Sequence, residues 1–368
     1  MLSGFKASVQ NELNAFFAHL ANQADLVRTV SAQAFSKARR NFSHTAFTRL
    51  NAHLLALVET HFEVPRWHGL RVVAADASKL RLFLQDATGR QVREAIAFAL
   101  YLPGLELTLS AELYSSSVGE RQMLFEHLER LGPSDLLVLD RGYPARWLIA
   151  HLAQRGIPFC MRADDSGFAA VKAFLHSGLS ESVVALRAPD AADCADYECA
   201  PTPTTVRLVR VVTPNGRVHA VITSLLDATA YPAAGFADLY HSRWRIEEAF
   251  KRLKHRLALE NTSGLSWLAA QQDFGAKVLA DNLHALAVIE AAEQHPLPVN
   301  YKINRTYAFA HLKRCLPRWL LLAIPSTGDL LVALSELARC LVRFRPNDSK
   351  PRPIHPKPHR KHAYKSTC

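Results

Sequence analysis

Two aspartates and one helix face of this chain carry residue types that could act on a phosphodiester. Asp76 closes the apolar run LRVVAAD, and Asp140 closes DLLVLD. A carboxylate at the end of a buried strand stands at the carboxyl edge of a sheet, where open α/β sheets bind ligands. An aspartate in that position also serves simply to cap the following turn or helix. The third element is DLYHSRWRIEEAFKRLKHRL. With Tyr240 at 0° and 100° per residue, Arg243 falls at about −60°, Glu247 at about −20° and Lys254 at about −40°. Four polar residues of different chemistry thus share an arc of roughly 60° beside the apolar stripe of Leu239, Ile246, Phe250, Leu253 and Leu257. Internal pairing of a boundary row, Arg243 with Glu247 at i,i+4, accounts for the helix taken alone.

Asp76, Asp140 and Glu247 converging at one sheet edge would do more. Three carboxylates can hold two Mg²⁺ ions about 3.5–4 Å apart, one activating an attacking oxygen and the other steadying the leaving oxygen of an in-line phosphoryl transfer. Hard carboxylate oxygens without thiolate or imidazole suit Mg²⁺, with Mn²⁺ as substitute, rather than zinc. Arg243 and Lys254 then suit phosphate contacts. Lys254 lies about 10 Å beyond Glu247 along the helix axis, too far for a salt bridge with it.

The elements that must position these groups read as a mixed α/β sheet flanked by helices. Residues 1–66 carry helix-period patterns, with seven basic and four acidic side chains. They form an N-terminal helical domain, either a packing unit with solvated charge or a unit that binds DNA ends. From Leu70 short apolar runs follow one another (LRVVAADAS, LRLFL, AIAFALYLP, LELTLSAELY), then the helix GERQMLFEHLERL, the strand DLLVLD, the helix PARWLIAHLAQRG and the strand IPFCMRA. Residues 67–163 are the first part of this core. Residues 164–235 break the rhythm as a β-rich insertion, in which Asn215-Gly216 between two alternating runs predicts a hairpin. Residues 236–300 return to the core with the Glu247 helix, and 301–344 are a C-terminal helical region. Residues 345–368 hold five prolines and seven Lys/Arg against one acidic residue, a basic tail predicted to be disordered.

Composition narrows the function classes. The 368 residues include 44 Lys+Arg against 33 Asp+Glu, a formal net charge of +11, which favours a polyanionic partner. No apolar run reaches membrane-spanning length, and the first residues lack a signal-peptide pattern. Six cysteines in so long a chain make no disulfide framework, and Cys194 with Cys199 lacks the second pair of a zinc site. The expected location is the cytoplasm, at the nucleoid. No phosphate-binding G-x-x-x-x-G-K-[ST] loop, G-x-S-x-G or H-E-x-x-H occurs. Paired carboxylates would also serve a glycosidase, which leaves Arg243, Lys254 and the basic charge unexplained.

Tyr240-(2)-Arg243-(3)-Glu247-(6)-Lys254 resembles the Y-(2)-R-(3)-E-(6)-K signature of the insertion-sequence-four family of bacterial DDE transposases, and DRGY at Asp140 resembles that family's second-aspartate motif. The resemblance runs from about Trp67 to Leu286. It implies an RNase H-like catalytic core interrupted by the insertion, with Asp76, Asp140 and Glu247 as catalytic triad and ligands of two Mg²⁺ ions. It further implies DNA contacts by Tyr240, Arg243 and Lys254, recognition of terminal inverted repeats, hydrolytic nicking followed by 3′-OH attack on a second phosphodiester in strand transfer, and a synaptic homodimer. A nuclease of the same fold that cuts without joining, or a DNA-binding derivative that does not cut, would share these features. The family commonly has Gly after its first aspartate where this chain has Ala77; if that turn needs positive φ, Ala77 would strain it or displace Asp76.

Overall fold

The computed structural model describes residues 8–344 apart from positions 24, 26, 87, 88, 214, 215, 323 and 324. The basic tail and the Pro214-Asn215 part of the expected hairpin turn lie outside the described residues. The chain opens with helices α1 (Val9–Ala21), α2 (Ala32–Arg39) and α3 (Thr45–His61). The first two start on serines, Ser8 and Ser31, whose side chains accept from the backbone N–H three residues on.

Strands β1 (Arg66–Trp67), β2 (Leu70–Asp86), β3 (Gly89–Leu102) and β4 (Leu107–Ser115) follow, then helix α4 (Glu120–His127), β5 (Asp135–Leu139), α5 (Arg146–Gln154) and β6 (Phe159–Ala163). Next come α6 (Ala169–Ser177), β7 (Glu181–Leu186), α7 (Ala191–Asp196), β8 (Thr204–Val212) and β9 (Val218–Thr223). The chain continues through α8 (Phe236–Ser242), α9 (Trp244–Arg256), α10 (Trp267–Gln294), β10 (Tyr301–Ile303), α11 (Arg305–Leu321), α12 (Thr327–Arg339) and β11 (Leu341–Arg343).

The main sheet has nine strands, in the order β4-β3-β2-β5-β6-β9-β8-β7 with β1 paired to β2. β5 lies parallel to both β2 and β6, and all five of its residues are buried, as expected of a central parallel strand. Register between β2 and β5 is pinned by opposed residues: Arg71 donates to both carboxylate oxygens of Asp135, at 2.6 and 3.1 Å. The segment 164–235 supplies β7, β8 and β9, and β9 pairs antiparallel with β6, so its strands continue the same sheet. That pairing covers a β6 edge that would otherwise expose free backbone groups.

Two sequence readings change. The runs LRVVAADAS and LRLFL are one strand of 17 residues, so Asp76 does not end its strand. The single helix expected over DLYHSRWRIEEAFKRLKHRL is two helices meeting at Arg243, where the Arg243 N–H donates to the Tyr240 carbonyl and the Ile246 N–H to the Arg243 carbonyl, each three residues back. This local 3₁₀ tightening winds the chain faster than the even 100° per residue.

The fold divides into two compact units. One comprises Leu54–Lys79 and Ile96–Phe250; the other draws on Met1–His53, Leu80–Ala95 and Lys251–Cys368. Within the second unit Arg39, 6% exposed, is held by Gln272, Ser263, Asp273 and the Ala269 carbonyl. Among the described residues no helix is long and apolar enough to cross a membrane. The five described cysteines, Cys160, Cys194, Cys199, Cys315 and Cys340, are free thiols.

Candidate active site

Register fixes where the two aspartates meet. Ala74 of β2 pairs with Val138 of β5, and two residues further along these parallel strands stand Asp76 and Asp140. Successive side chains alternate between faces, so Leu136, Val138 and Asp140 share one face, as do Val72, Ala74 and Asp76. Helix α8 packs on that face: Phe236, Leu239 and Tyr240 join Leu136, Val138 and Val72 in one apolar cluster. The cluster places the Tyr240 hydroxyl to donate to Asp140 Oδ1 at 2.8 Å.

Arg243 sits at the α8–α9 junction and is only 3% exposed. Its Nη2 donates to Glu247 Oε1 at 2.9 Å and lies 3.9 Å from Asp140 Oδ2. One buried guanidinium therefore links the second aspartate to the glutamate, while each carboxylate keeps about a third of its side chain exposed (35% and 30%). Burial pushes the Asp140 carboxyl up, but the Arg243 charge, the Arg141 N–H, the Tyr240 hydroxyl and Arg162 outweigh it and hold Asp140 below its ordinary value. Asp76 goes the other way. Burial raises it to about 7; Arg243 and the Ala77 N–H oppose the rise, while the nearby charges of Glu247 and Glu120 add to it.

The structure thus brings Asp76, Asp140, Tyr240, Arg243 and Glu247 together in one unit. Lys254 stands on α9 two turns beyond Glu247, past the point where the chain enters the other unit. Ala77 lies within β2 and is absent from the residues of positive φ, so alanine meets no backbone strain there. Three neighbours of the cluster were not singled out in the sequence: Arg162 on β6, Glu120 at the start of α4 and Tyr143 three residues after Asp140. Tyr143 lies within the quoted DRGY motif, and its place there was the available signal. Glu120 is one acidic residue in a helix's first turn, and nothing in its spacing marks it out.

Among the described residues no group of three His, Cys, Asp or Glu side chains stands in the arrangement of a formed metal site. The donor chemistry nevertheless fits a hard divalent cation: Asp76, Asp140 and Glu247 offer only carboxylate oxygens. Asp76 is also a carboxylate whose ionised form burial disfavours. Arg243 supplies the compensating positive charge in the protein as described.

The raised Asp76 sets a pH dependence. Between its ordinary value near 3.8 and about 7, the folded protein keeps a proton that the unfolded chain releases, so stability falls as pH rises through that window. Above it the cost is fully present. In chelator at pH 8, Asp76→Asn is therefore expected to stabilise the protein by about 1–2 kcal/mol and to flatten the melting temperature between about pH 4 and 7. A melting temperature at pH 8 equal to or below the parent's would refute the burial account.

The family model for the transposase DDE domain matches residues 67–283, more than half of the chain and including all five clustered residues. The chain belongs to the DDE transposase family. The insertion-sequence-four resemblance of residues 240–254 agrees with a second finding. The transposase InsG for insertion sequence element IS4 of Escherichia coli (strain K12) is 25% identical over 280 residues, 72% of this chain. The match spans 62% of that relative's length. Among solved structures, a piggyBac transposase synaptic complex with hairpin DNA aligns over 92% of this chain and 78% of its own, with a TM-score of 0.43 and 11% identity. DDE transposase domains as a class work with divalent metal ions.

Proposed function

We propose that this DDE transposase mobilises a bacterial insertion sequence, binding its terminal inverted repeats, nicking the ends hydrolytically and joining the freed 3′-OH to target DNA by cut and paste. The observation that carries the reading is the Asp140–Arg243–Glu247 linkage beside the register-matched Asp76. An RNase H-like core is supported by a mixed sheet with the two aspartates on adjacent parallel strands.

In this reading Asp76, Asp140 and Glu247 hold two Mg²⁺ ions, or Mn²⁺ in their place, which when bound supply Lewis acidity at the attacking and leaving oxygens. The chain's own groups orient the reactants. Tyr240 fixes the rotation of the Asp140 carboxylate through its 2.8 Å hydrogen bond. Arg243 meets a phosphate of the element end by exchanging Glu247 for a phosphate oxygen, since carboxylate and phosphate present the same paired-acceptor geometry to a guanidinium. Lys254, two turns along α9, meets the backbone of the same strand farther from the cut. Residues 1–66 serve as the end-binding helical domain, 67–163 and 236–300 as the catalytic core, 164–235 as the insertion, 301–344 as a helical support and 345–368 as a nonspecific DNA arm. The working form is a homodimer on paired ends, at the nucleoid.

The test is cleavage of a labelled duplex carrying the element's terminal repeat, with and without Mg²⁺. Nicking at the repeat boundary that requires the metal is the expected result; specific binding without cleavage in Mg²⁺ or Mn²⁺ would sink the reading in favour of a non-cutting derivative. DNA affinity should also fall steeply with salt, with a log–log slope of about −0.9 per neutralised phosphate. A flat titration would remove the phosphate contacts.

A further inference from the structure

The hydroxyl of Tyr143 is buried, with the residue 1% exposed, and it has no hydrogen-bond partner. The groups within electrostatic reach of it are Glu120, Asp76, Arg243 and Asp140. Arg243 Nε is likewise buried and unpartnered. Buried polar groups of this kind are ordinarily satisfied, and beside carboxylates the usual partner is ordered water. Water needs at least two polar partners, and donors and acceptors are both present here.

Glu120 is held at this place by its neighbour. Arg121 donates to the carbonyls of Gly142 and Tyr143, both at 3.1 Å, and of Pro144 at 3.3 Å, tying the start of α4 to the turn after Asp140. Glu120 Oε2 consequently lies 3.7 Å from where a side chain on Gly142 would begin. Nothing in the Asp140–Arg243–Glu247 linkage uses Glu120 or the Tyr143 hydroxyl.

The geometry points to Glu120 and Tyr143 as the pair that positions the water which nicks the element end. The inference rests on the transposase reading above. In that step the water oxygen bonds to phosphorus, the P–O3′ bond breaks, the water gives up one proton to solvent and the 3′-oxygen takes one up. Water arrives untethered and must have its orientation fixed by the protein, Glu120 accepting from it and the Tyr143 hydroxyl bonding to it. The 3′-OH that attacks target DNA is already oriented by the duplex that carries it. Glu120 and Tyr143 therefore matter for hydrolysis and not for joining.

Glu120→Gln and Tyr143→Phe, in the full chain, test this on two substrates: an uncut labelled terminal repeat, and the same end pre-cleaved with a free 3′-OH. Tyr143→Phe removes no protein hydrogen bond, so it keeps the test alive if Glu120→Gln fails to fold. Hydrolysis is expected to fall about 30-fold with Glu120→Gln and about 5-fold with Tyr143→Phe, while joining of the pre-cleaved end stays within about 2-fold. Equal losses on the two substrates would indicate a general structural role and overturn the inference. Unchanged hydrolysis in both variants would overturn it as well. Failure of the parent protein on both substrates would instead count against the transposase reading itself.

Discussion

Glu247→Ala is expected to lower Mg²⁺-dependent cleavage of the terminal repeat by at least about 10³-fold while leaving specific binding to that repeat within about 3-fold. The asymmetry follows from where the carboxylate sits. Glu247 lies in the first turn of α9, beside the register-matched aspartates and linked to Asp140 through Arg243. In the proposed reading it would contribute charge at the reacting phosphate and little else to DNA binding. The substitution removes only one side of an i,i+4 pair whose acidic partner is 30% exposed, so the fold should survive it. Cleavage retained at a tenth of the parent rate would exclude Glu247 from the triad. Loss of binding together with cleavage would mean the residue shapes the DNA interface.

A second large effect is expected at Arg243. Its guanidinium is the buried positive charge among Asp76, Asp140 and Glu247, and it is raised above its ordinary value: burial pulls it down, but Tyr240, Asp140, Asp76 and Glu247 more than offset that. Arg243→Met keeps the length and apolar packing of the stem but leaves the carboxylates uncompensated. Breaking a fully buried pair costs about 3–5 kcal/mol; with both partners about a third exposed, a cost of about 2–3 kcal/mol is appropriate. In chelator that corresponds to a melting temperature lower by about 5–10 °C. Millimolar Mg²⁺ should restore much of the loss in Arg243→Met and stabilise the parent less, because carboxylates without their internal cation bind Mg²⁺ more tightly and a ligand bound only by the folded state stabilises more the tighter it binds. Equal stabilisation of both proteins by Mg²⁺, or an unchanged melting temperature in chelator, would show that Arg243 is not the internal counter-ion.

Much of this site was legible before any coordinates. Asp140 follows a run of five apolar or buried positions, Asp76 follows another, and the spacing of Tyr240, Arg243 and Glu247 marks a shared helical margin. What the sequence hid was pairing. The polar residues Asp76, Ser78 and Lys79 look like a break between two strands, yet β2 runs straight through them. Its leading part is matched to β5 and its continuation is not constrained by that partner. The junction at Arg243 carries no Pro or Gly to announce it, because a 3₁₀ turn is a backbone adjustment open to ordinary residues. The union of β9 with β6 is a choice of neighbour, and alternating apolar patterns specify a strand without naming its partner. Glu120 was invisible for the same reason: it stands near the aspartates through a helix start tied by Arg121 to a turn 21 and 22 residues away.

The two compact units are interleaved along the chain, which crosses between them after His53, Lys79, Ala95 and Phe250. Neither is a contiguous stretch, and Asp76 and Glu247 each lie three residues before a crossing. A polypeptide that ends early, through a nonsense mutation or a broken gene copy, would lack the third segment of one unit while still carrying the first two. The apolar faces of that unit would lack their partners, leaving that part of the product open to proteolysis. A gene copy broken just beyond residue 250 would nevertheless keep both segments of the other unit, with Asp76, Asp140 and Glu247, so its product would carry the three carboxylates without the companion unit.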